Sequence, residues 1–570
     1  MKNSARAIRR QVESLCGVGM VLGALFFAAS LTPTLVPRSA PAQGALAGTC
    51  FAAGYAIGVF LRWLWHYLEL PVASSRMRAA ANALVAAGSF LVVVSFLWRA
   101  AAWQDSIRAV MGLPPVETAR PFKVCAIALA TFVLLLALVR LFWYVSRFLA
   151  SRIRRFIPRR IANVVGVLAG ILLFWSIADN LLVRTTFRAL DSSFRAYDAL
   201  LEPERPQPTA SGKTGSAASL VKWSELGRAG REFVSSAPTG EQISTFTGRP
   251  ARDPIRVYVG LRGADTPQAR ARLALAELKR QHGFERSILI IITPTGTGWV
   301  DPAAMDSVEY LHDGDVASVA VQYSYLNSPL SLLFEPDYGL AAARALFAEI
   351  YGYWTTLPKD KRPKLYVHGL SLGAMNSERS AELFETVGDP ISGALWSGPP
   401  FESRVWRWFT ANRNDNSPYW LPQFRDGRFV RFMNQNGPTG PADAPWGPMR
   451  IVYLQYASDP IMLFSYQDAY RAPVWMTPPR GPDVSPDLQW YPIVTMLQIA
   501  LDMAGATGTP MGYGHVFAPE HYIDAWVAVT DVRNWSPEAL ARLKKYLGNL
   551  ARKESGENAT GDSPYAGRSG

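Results

Sequence analysis

Five apolar segments crowd the first third of this chain, at roughly Cys16–Val36, Gly44–Trp65, Ala79–Trp98, Phe122–Val145 and Ile161–Val183. Each is close to the ~20 residues an α-helix needs to cross the hydrocarbon core of a bilayer. Core helices of a soluble protein would be shorter and would carry a polar face. Residues 1–183 are therefore expected to form a transmembrane domain of about five spans. The composition agrees, with 49% hydrophobic residues, 18 Trp and only 18% charged residues.

The formal charge of +13 is unevenly spread. Met1–Val183 holds 19 Lys and Arg against 5 Asp and Glu, and the rest of the chain holds 39 against 40. A basic excess confined to the apolar third points to a membrane and argues against nucleic acid as a partner. Lys2, Arg6, Arg9 and Arg10 precede the first span, Arg76 and Arg78 follow the second, and Arg147 to Arg160 crowd the fourth connection. The positive-inside rule makes that side cytoplasmic. Five spans then put everything after Val183 outside the cytoplasm, in a multi-pass protein of the cell membrane. Ala40-Pro41-Ala42 looks like a cleavage site, but the preceding run exceeds the ~7–15 apolar residues of a signal peptide, so an anchor is expected. The pairs Gly54/Gly58 and Gly166/Gly170 have the spacing that lets spans approach closely, a spacing that incidental small residues also produce. Asp179 and Asn180 are expected at the outer interface.

Residues 184–250 read as an amphipathic segment, Thr185–Leu201, and a flexible linker rich in Pro, Gly, Ser and Thr, Glu202–Ser219. From 251 to 552 short β-branched runs alternate with helical patterns. Strands are expected at Ile255–Gly260, Ser287–Ile292, Val316–Gln322, Lys364–His368, Ile391–Trp396 and Arg450–Gln455. The helices between them include Thr266–Gln281, Gly339–Thr355, Leu372–Val387, Tyr491–Met503 and Pro537–Leu550. This alternation argues for a doubly wound, mostly parallel sheet covered on both faces. The stretch 401–448, loaded with Trp, Asn, Pro and Gly, looks like a cap-like insertion that shapes a pocket. Residues 553–570 are polar and Gly/Ser-rich and read as a disordered tail. The three cysteines, Cys16, Cys50 and Cys125, all lie in apolar N-terminal segments, which leaves the rest of the chain no disulfide framework or Cys-based metal site.

Gly369-Leu370-Ser371-Leu372-Gly373 follows the apolar run Leu365–His368 and precedes a helical stretch, the order required by a nucleophile elbow. A serine hydroxyl becomes a useful nucleophile only with a base beside it and donors for the developing oxyanion. The elbow's acid partner should follow a later strand, and Asp459 stands just past Arg450–Gln455 in Ser458-Asp459-Pro460. Asp468, Asp483 and Asp487 lie farther from a strand end. Only two histidines come later still. His515 sits in the Gly-bounded loop Gly512–His515, whereas His521 opens a helical segment and is expected to pack or cap. His368 should support the sheet. Leu372 would give one oxyanion donor through its backbone N–H. Gly296 or Thr297, in the loop Thr293–Trp299, would give the other. No metal-ligand spacing and no cofactor motif occurs.

The run TPTGTGWVDP (Thr293–Pro302), the elbow VHGLSLGAMNSE, YASDPI, RGPDVSPDLQW and GYGHVF together resemble bacterial α/β-hydrolases that carry a multi-span N-terminal domain. The resemblance covers nearly the whole chain. It implies an α-helical transmembrane bundle followed by an α/β-hydrolase domain, with Ser371, Asp459 and His515 as catalytic triad. The expected activity is a membrane-anchored serine hydrolase, esterase- or lipase-like, acting on carboxylic esters. Tethering beside headgroups suggests lipid-like substrates, with membrane lipids as partners. An acyltransferase would use the same three residues, and a non-catalytic binding domain is the third reading. Neither substrate identity nor oligomeric state is encoded in these motifs.

Overall fold

A computed structural model describes residues 15–71, 75–179, 195, 197–326, 337–381, 386–438 and 444–556. The chain forms two compact units. One comprises Met1–Thr186 with Phe464–Ala506, the other Phe187–Leu463 with Thr507–Gly570.

In the first unit, the helices Ala40–Tyr67, Ser75–Val110, Pro121–Ile153 and Arg159–Ile177 are long and apolar enough to cross a membrane. Much of their apolar surface points outward, with Leu84, Trp98, Phe122 and Trp175 largely exposed. Such surface suits lipid better than water. The first expected span departs from this pattern. Its helix covers only Gly17–Ser30, 14 residues. Proline explains the stop, because Pro33 cannot donate to a continuing helix and restricts Thr32 before it. Leu31, Leu35 and Val36 are nonetheless buried, in a turn and a bend.

Glycines set the helix contacts. Gly54 lies against the backbone of Leu22, and a Cβ on Gly58 would stand 2.5 Å from Gly19 Cα. Gly166 meets Ser146 and Ala150 in the same way. Both G-x-x-x-G pairs therefore sit at close helix crossings.

Within residues 251–552, the segment Phe464–Ala506 packs in the first unit. The helix Val494–Gly505 explains this. Val494 joins a cluster with Ala29, Leu46 and Cys50, flanked by Leu497 and Leu501. On its polar side, Asp502 Oδ1 accepts from Arg38 Nε at 2.8 Å and Oδ2 accepts from Leu35 N–H at 3.1 Å and from Thr34 Oγ1.

The second unit holds an eight-stranded sheet in the order β1-β3-β2-β4-β5-β8-β6-β7. The strands are β1 (Ile255–Val259), β2 (Ile288–Thr293), β3 (Val316–Val321), β4 (Lys364–Leu370), β5 (Gly393–Ser397), β6 (Val430–Asn434), β7 (Gly437–Pro438) and β8 (Arg450–Leu454). All pairings are parallel except β6 with β7. β1, β2, β3 and β5 are buried along their whole length, as sheet strands covered on both faces must be.

Two expectations change here. Residues 401–448 are not only a cap, because Val430–Asn434 enters the sheet beside β8. Glu202–Ser219 is not a free linker either. Thr214 and Ser216 are buried, and Thr214 Oγ1 donates to Arg256 O at 3.0 Å. Most of the amphipathic segment Thr185–Leu201, and residues 557–570 of the expected tail, lie outside the described residues.

Candidate active site

The register of the sheet carries three loops to one edge. Leu370 pairs with Ser397, and Ser397 with Leu454, so β4, β5 and β8 end in one row. In a parallel sheet this carboxyl edge is where loops converge to form sites.

Ser371 follows β4 directly and precedes the helix Leu372–Ser377. Its backbone lies at φ 57°, ψ −123°, a conformation that costs a non-glycine residue of order 1–3 kcal/mol. The surroundings hold it there. Ser371 N–H donates to Ser397 O at 2.9 Å, extending the β4–β5 ladder through the turn. A Cβ on Gly369 would stand 2.5 Å from the backbone of Gly373, and one on Gly373 would collide with Thr293 O. Only glycine fits at either position, so the turn can be this tight. The Ser371 side chain makes no capping bond to its helix.

Asp459 lies beyond β8 and is fully buried. Oδ1 accepts from Ile461 N–H at 2.9 Å, and Oδ2 lies 2.6 Å from His515 Nδ1. The His515 loop is tied to the same turn, where Gly514 N–H donates to Ser458 Oγ at 2.9 Å. The ring stands edge-on to Phe517 and against Gly398, which follows β5. Gly398 has φ 47°, and a Cβ there would sit 2.7 Å from His515 Cε1. With Asp459 accepting at Nδ1, Nε2 is the ring's acceptor nitrogen. It is buried and has no hydrogen-bond partner among the described residues. A buried unsatisfied acceptor calls for a functional account.

The loop Thr293–Trp299 reaches the elbow as well, since the carbonyls of Thr293 and Pro294 lie against Gly373. Within it Thr295 N–H donates to Trp299 O and Gly298 N–H to Thr295 O. Gln322 Nε2 holds the Thr297 carbonyl at 3.2 Å and Tyr258 hydroxyl the Gly298 carbonyl at 2.8 Å. Gly296 and Thr297 thus belong to a fixed loop at the elbow. Leu372 heads the short helix, where the first N–H groups have no partner within the helix.

The other candidates separate from this group. His368 places Nδ1 2.8 Å from Leu395 O and packs between Tyr522 and Trp526, and burial lowers its pKa to about 4. His521 Nδ1 pairs with Tyr456 hydroxyl at 2.5 Å. Asp468, Asp483 and Asp487 all fall in Phe464–Ala506, in the first unit.

Two buried carboxyls stand in motifs already quoted but carry no assigned role there. Asp301 caps the helix Pro302–Leu311 through Ala303 N–H at 3.0 Å, and burial pushes its carboxyl up to about 7 although His515 acts in the opposite sense. Its position before Pro302 was the one available signal, a helix start. Glu378 accepts from Tyr453 hydroxyl at 3.0 Å and from Ser403 Oγ, and burial again pushes its carboxyl up to about 7. Glu378 ends the elbow motif VHGLSLGAMNSE, but its role is not legible there, because its partners Ser403 and Tyr453 come from distant elements.

Comparison with known proteins agrees with this architecture. Residues 255–543 match the alpha/beta-hydrolase family, and residues 31–238 match the N-terminal region described for that family. No curated protein and no solved structure matches the chain. The matched span takes in the whole sheet, the elbow and the Asp459–His515 pair, and the chain belongs to the alpha/beta-hydrolase family.

Proposed function

We propose that the protein is a membrane-anchored serine hydrolase that cleaves carboxylic esters, lipid-like ones included, through an acyl-enzyme. The observation that carries this reading is the 2.6 Å Asp459–His515 contact, which leaves a buried Nε2 as the ring's acceptor. Ser371 Oγ attacks the ester carbonyl while His515 Nε2 takes its proton. Asp459 holds the ring and stabilises the imidazolium that forms. The N–H groups of Leu372 and of Gly296 or Thr297 receive the developing oxyanion. The proton then passes from Nε2 to the leaving alcohol. Water, deprotonated by the same nitrogen, opens the Ser371 ester and restores the enzyme.

The four long apolar helices support membrane anchoring. An extracytoplasmic hydrolase unit follows if Gly17–Ser30 crosses together with them, making the number of crossings odd. Hydrolysis of short and long p-nitrophenyl esters by the full-length protein in detergent tests the activity. Ser371→Ala is expected to abolish turnover above background, and an unchanged rate would contradict the mechanism.

A further inference from the structure

The loop Thr293–Trp299, whose first carbonyls lie against Gly373 of the elbow, closes on itself as a three-residue turn. Thr295 N–H donates to Trp299 O at 3.0 Å, and Gly298 N–H donates to Thr295 O at 2.9 Å. Gly298 takes the left-handed position of such a turn, at φ 87°. These bonds occupy the N–H groups of Thr295 and Gly298. The Thr297 N–H, in contrast, has no partner among the described residues.

Two buried side chains of the sheet hold this turn. Gln322 directly follows β3, and its N–H donates to Val259 O at 2.9 Å, which extends the β1–β3 pairing. Its side-chain amide makes three bonds to main chain. Nε2 donates to Thr297 O at 3.2 Å and to Ser324 O at 3.1 Å, while Oε1 accepts from Leu261 N–H at 3.2 Å. The hydroxyl of Tyr258, on β1, donates to Gly298 O at 2.8 Å. The Tyr258 ring packs on the helix Gly227–Ser235, where a Cβ on Gly230 would stand 2.4 Å from it. Burial holds the Tyr258 hydroxyl well above its usual range, so it remains a donor. A Cβ on Gly298 would collide with both clamps, 2.3 Å from the Tyr258 hydroxyl and 2.8 Å from Gln322 Cγ.

A peptide unit is planar, so fixing its carbonyl also fixes the N–H opposite. The Thr295–Gly296 peptide is pinned through its carbonyl by Gly298 N–H. The Thr297–Gly298 peptide is pinned at both ends, by Gln322 and by Thr295 O. The peptide between them carries the Thr297 N–H and has little freedom left to turn. An oxyanion donor is effective when it is aimed beforehand, because then no reorientation is needed as charge develops.

We propose that the Thr297 N–H is the second oxyanion donor and that Gln322 and Tyr258 are its positioning residues. The N–H touches the reacting oxygen, and the two side chains act only through it. This inference rests on the reading of Ser371, Asp459 and His515 given above.

The test uses full-length protein in detergent, a soluble short-chain ester, and kcat normalised to sites labelled to completion with a fluorophosphonate. Inhibition by phenylboronic acid is measured beside it. The tetrahedral boron adduct on Ser371 imitates the intermediate and places an oxygen at the oxyanion position, whereas KM reports on ground-state binding. Gln322→Met keeps the bulk and removes both donated bonds. It is expected to lower normalised kcat on the order of 10²-fold with KM little changed, and to raise the boronate Ki by a similar factor. Tyr258→Phe deletes one oxygen and should lower kcat by about tenfold, again with a parallel rise in Ki. Gln322→Glu keeps an acceptor for Leu261 N–H but sets a carboxylate against two carbonyls, so it should recover none of the loss. Loss of kcat without a matching rise in Ki would mean that these side chains do not act through the oxyanion, and would overturn the proposal. Wild-type kcat in Tyr258→Phe and Gln322→Met would overturn it as well, and if Gln322→Met does not fold, Tyr258→Phe decides alone. A wild-type protein that neither labels nor turns over ester would instead remove the reading of the site, and the proposal with it.

Discussion

Asp459 Oδ2 and His515 Nδ1 approach to 2.6 Å although 56 residues separate them in the chain, and both side chains are buried. The contact fixes which ring nitrogen faces the rest of the site. It also has a specific weakness, because Asp459 acts only as an acceptor while its other oxygen is used by Ile461 N–H.

Asp459→Asn keeps the shape but can present an amide N–H to Nδ1, which favours the opposite tautomer. Ester turnover is expected to drop by about 10⁴-fold with KM nearly unchanged. Steady-state kinetics of the purified variant checks this. A loss under tenfold would show that Asp459 does not orient the base.

The two C-terminal histidines should behave differently. His515→Ala is expected to remove turnover. His521→Gln keeps a polar group for Tyr456 hydroxyl and should retain kcat within about tenfold, with its cost appearing in thermal stability. Equal loss of kcat in both variants would mean that His521 also serves the reaction.

Gly398 is a steric test of the same ring. It has φ 47°, and an added Cβ would stand 2.7 Å from His515 Cε1 and 2.9 Å from Phe517. Gly398→Ala should displace the imidazole and reduce kcat on the order of 10²-fold. The backbone conformation adds a stability cost of about 1 kcal/mol. Wild-type kcat in this variant would show that the ring position is not held by β5.

A fourth prediction concerns pH. Burial lowers the pKa of His368 from 6.5 to about 4, so the unfolded chain binds a proton that the folded protein refuses. The contribution is fully present above pH 6.5 and is lost as pH falls through the window from 6.5 to 4. Its size is about 3 kcal/mol at one unit per 1.36 kcal/mol. In urea unfolding followed by Trp fluorescence, the wild type should therefore lose about that much more stability than His368→Gln between pH 7 and 4. Parallel curves would show that His368 does not carry the effect.

The sheet was legible because most of its strands are short, β-branched and largely buried, and β1, β2, β3 and β8 begin within a residue of where periodicity puts them. The elbow was legible for a local reason as well, since Gly369 and Gly373 mark a turn that no other residue fits. Asp459 and His515 could be named from chain order and loop character, but their contact is a product of strand order and appears only in three dimensions. The role of Phe464–Ala506 was hidden. Its helix pattern was visible at Tyr491–Met503, but a helical period does not say which unit its apolar face will join. The decisive partner, Arg38, lies more than 400 residues away in a segment read as the end of a span. Pro33 and Pro37 were the available warning that this span stops short.

The central claim is that Ser371 is an activated nucleophile. The most direct test is labelling of the full-length protein with a fluorophosphonate, followed by peptide mapping. The account predicts a single adduct on Ser371, absent in Ser371→Ala and strongly slowed in His515→Ala. Folded wild-type protein that takes no label at Ser371, or that labels equally fast without His515, would contradict it.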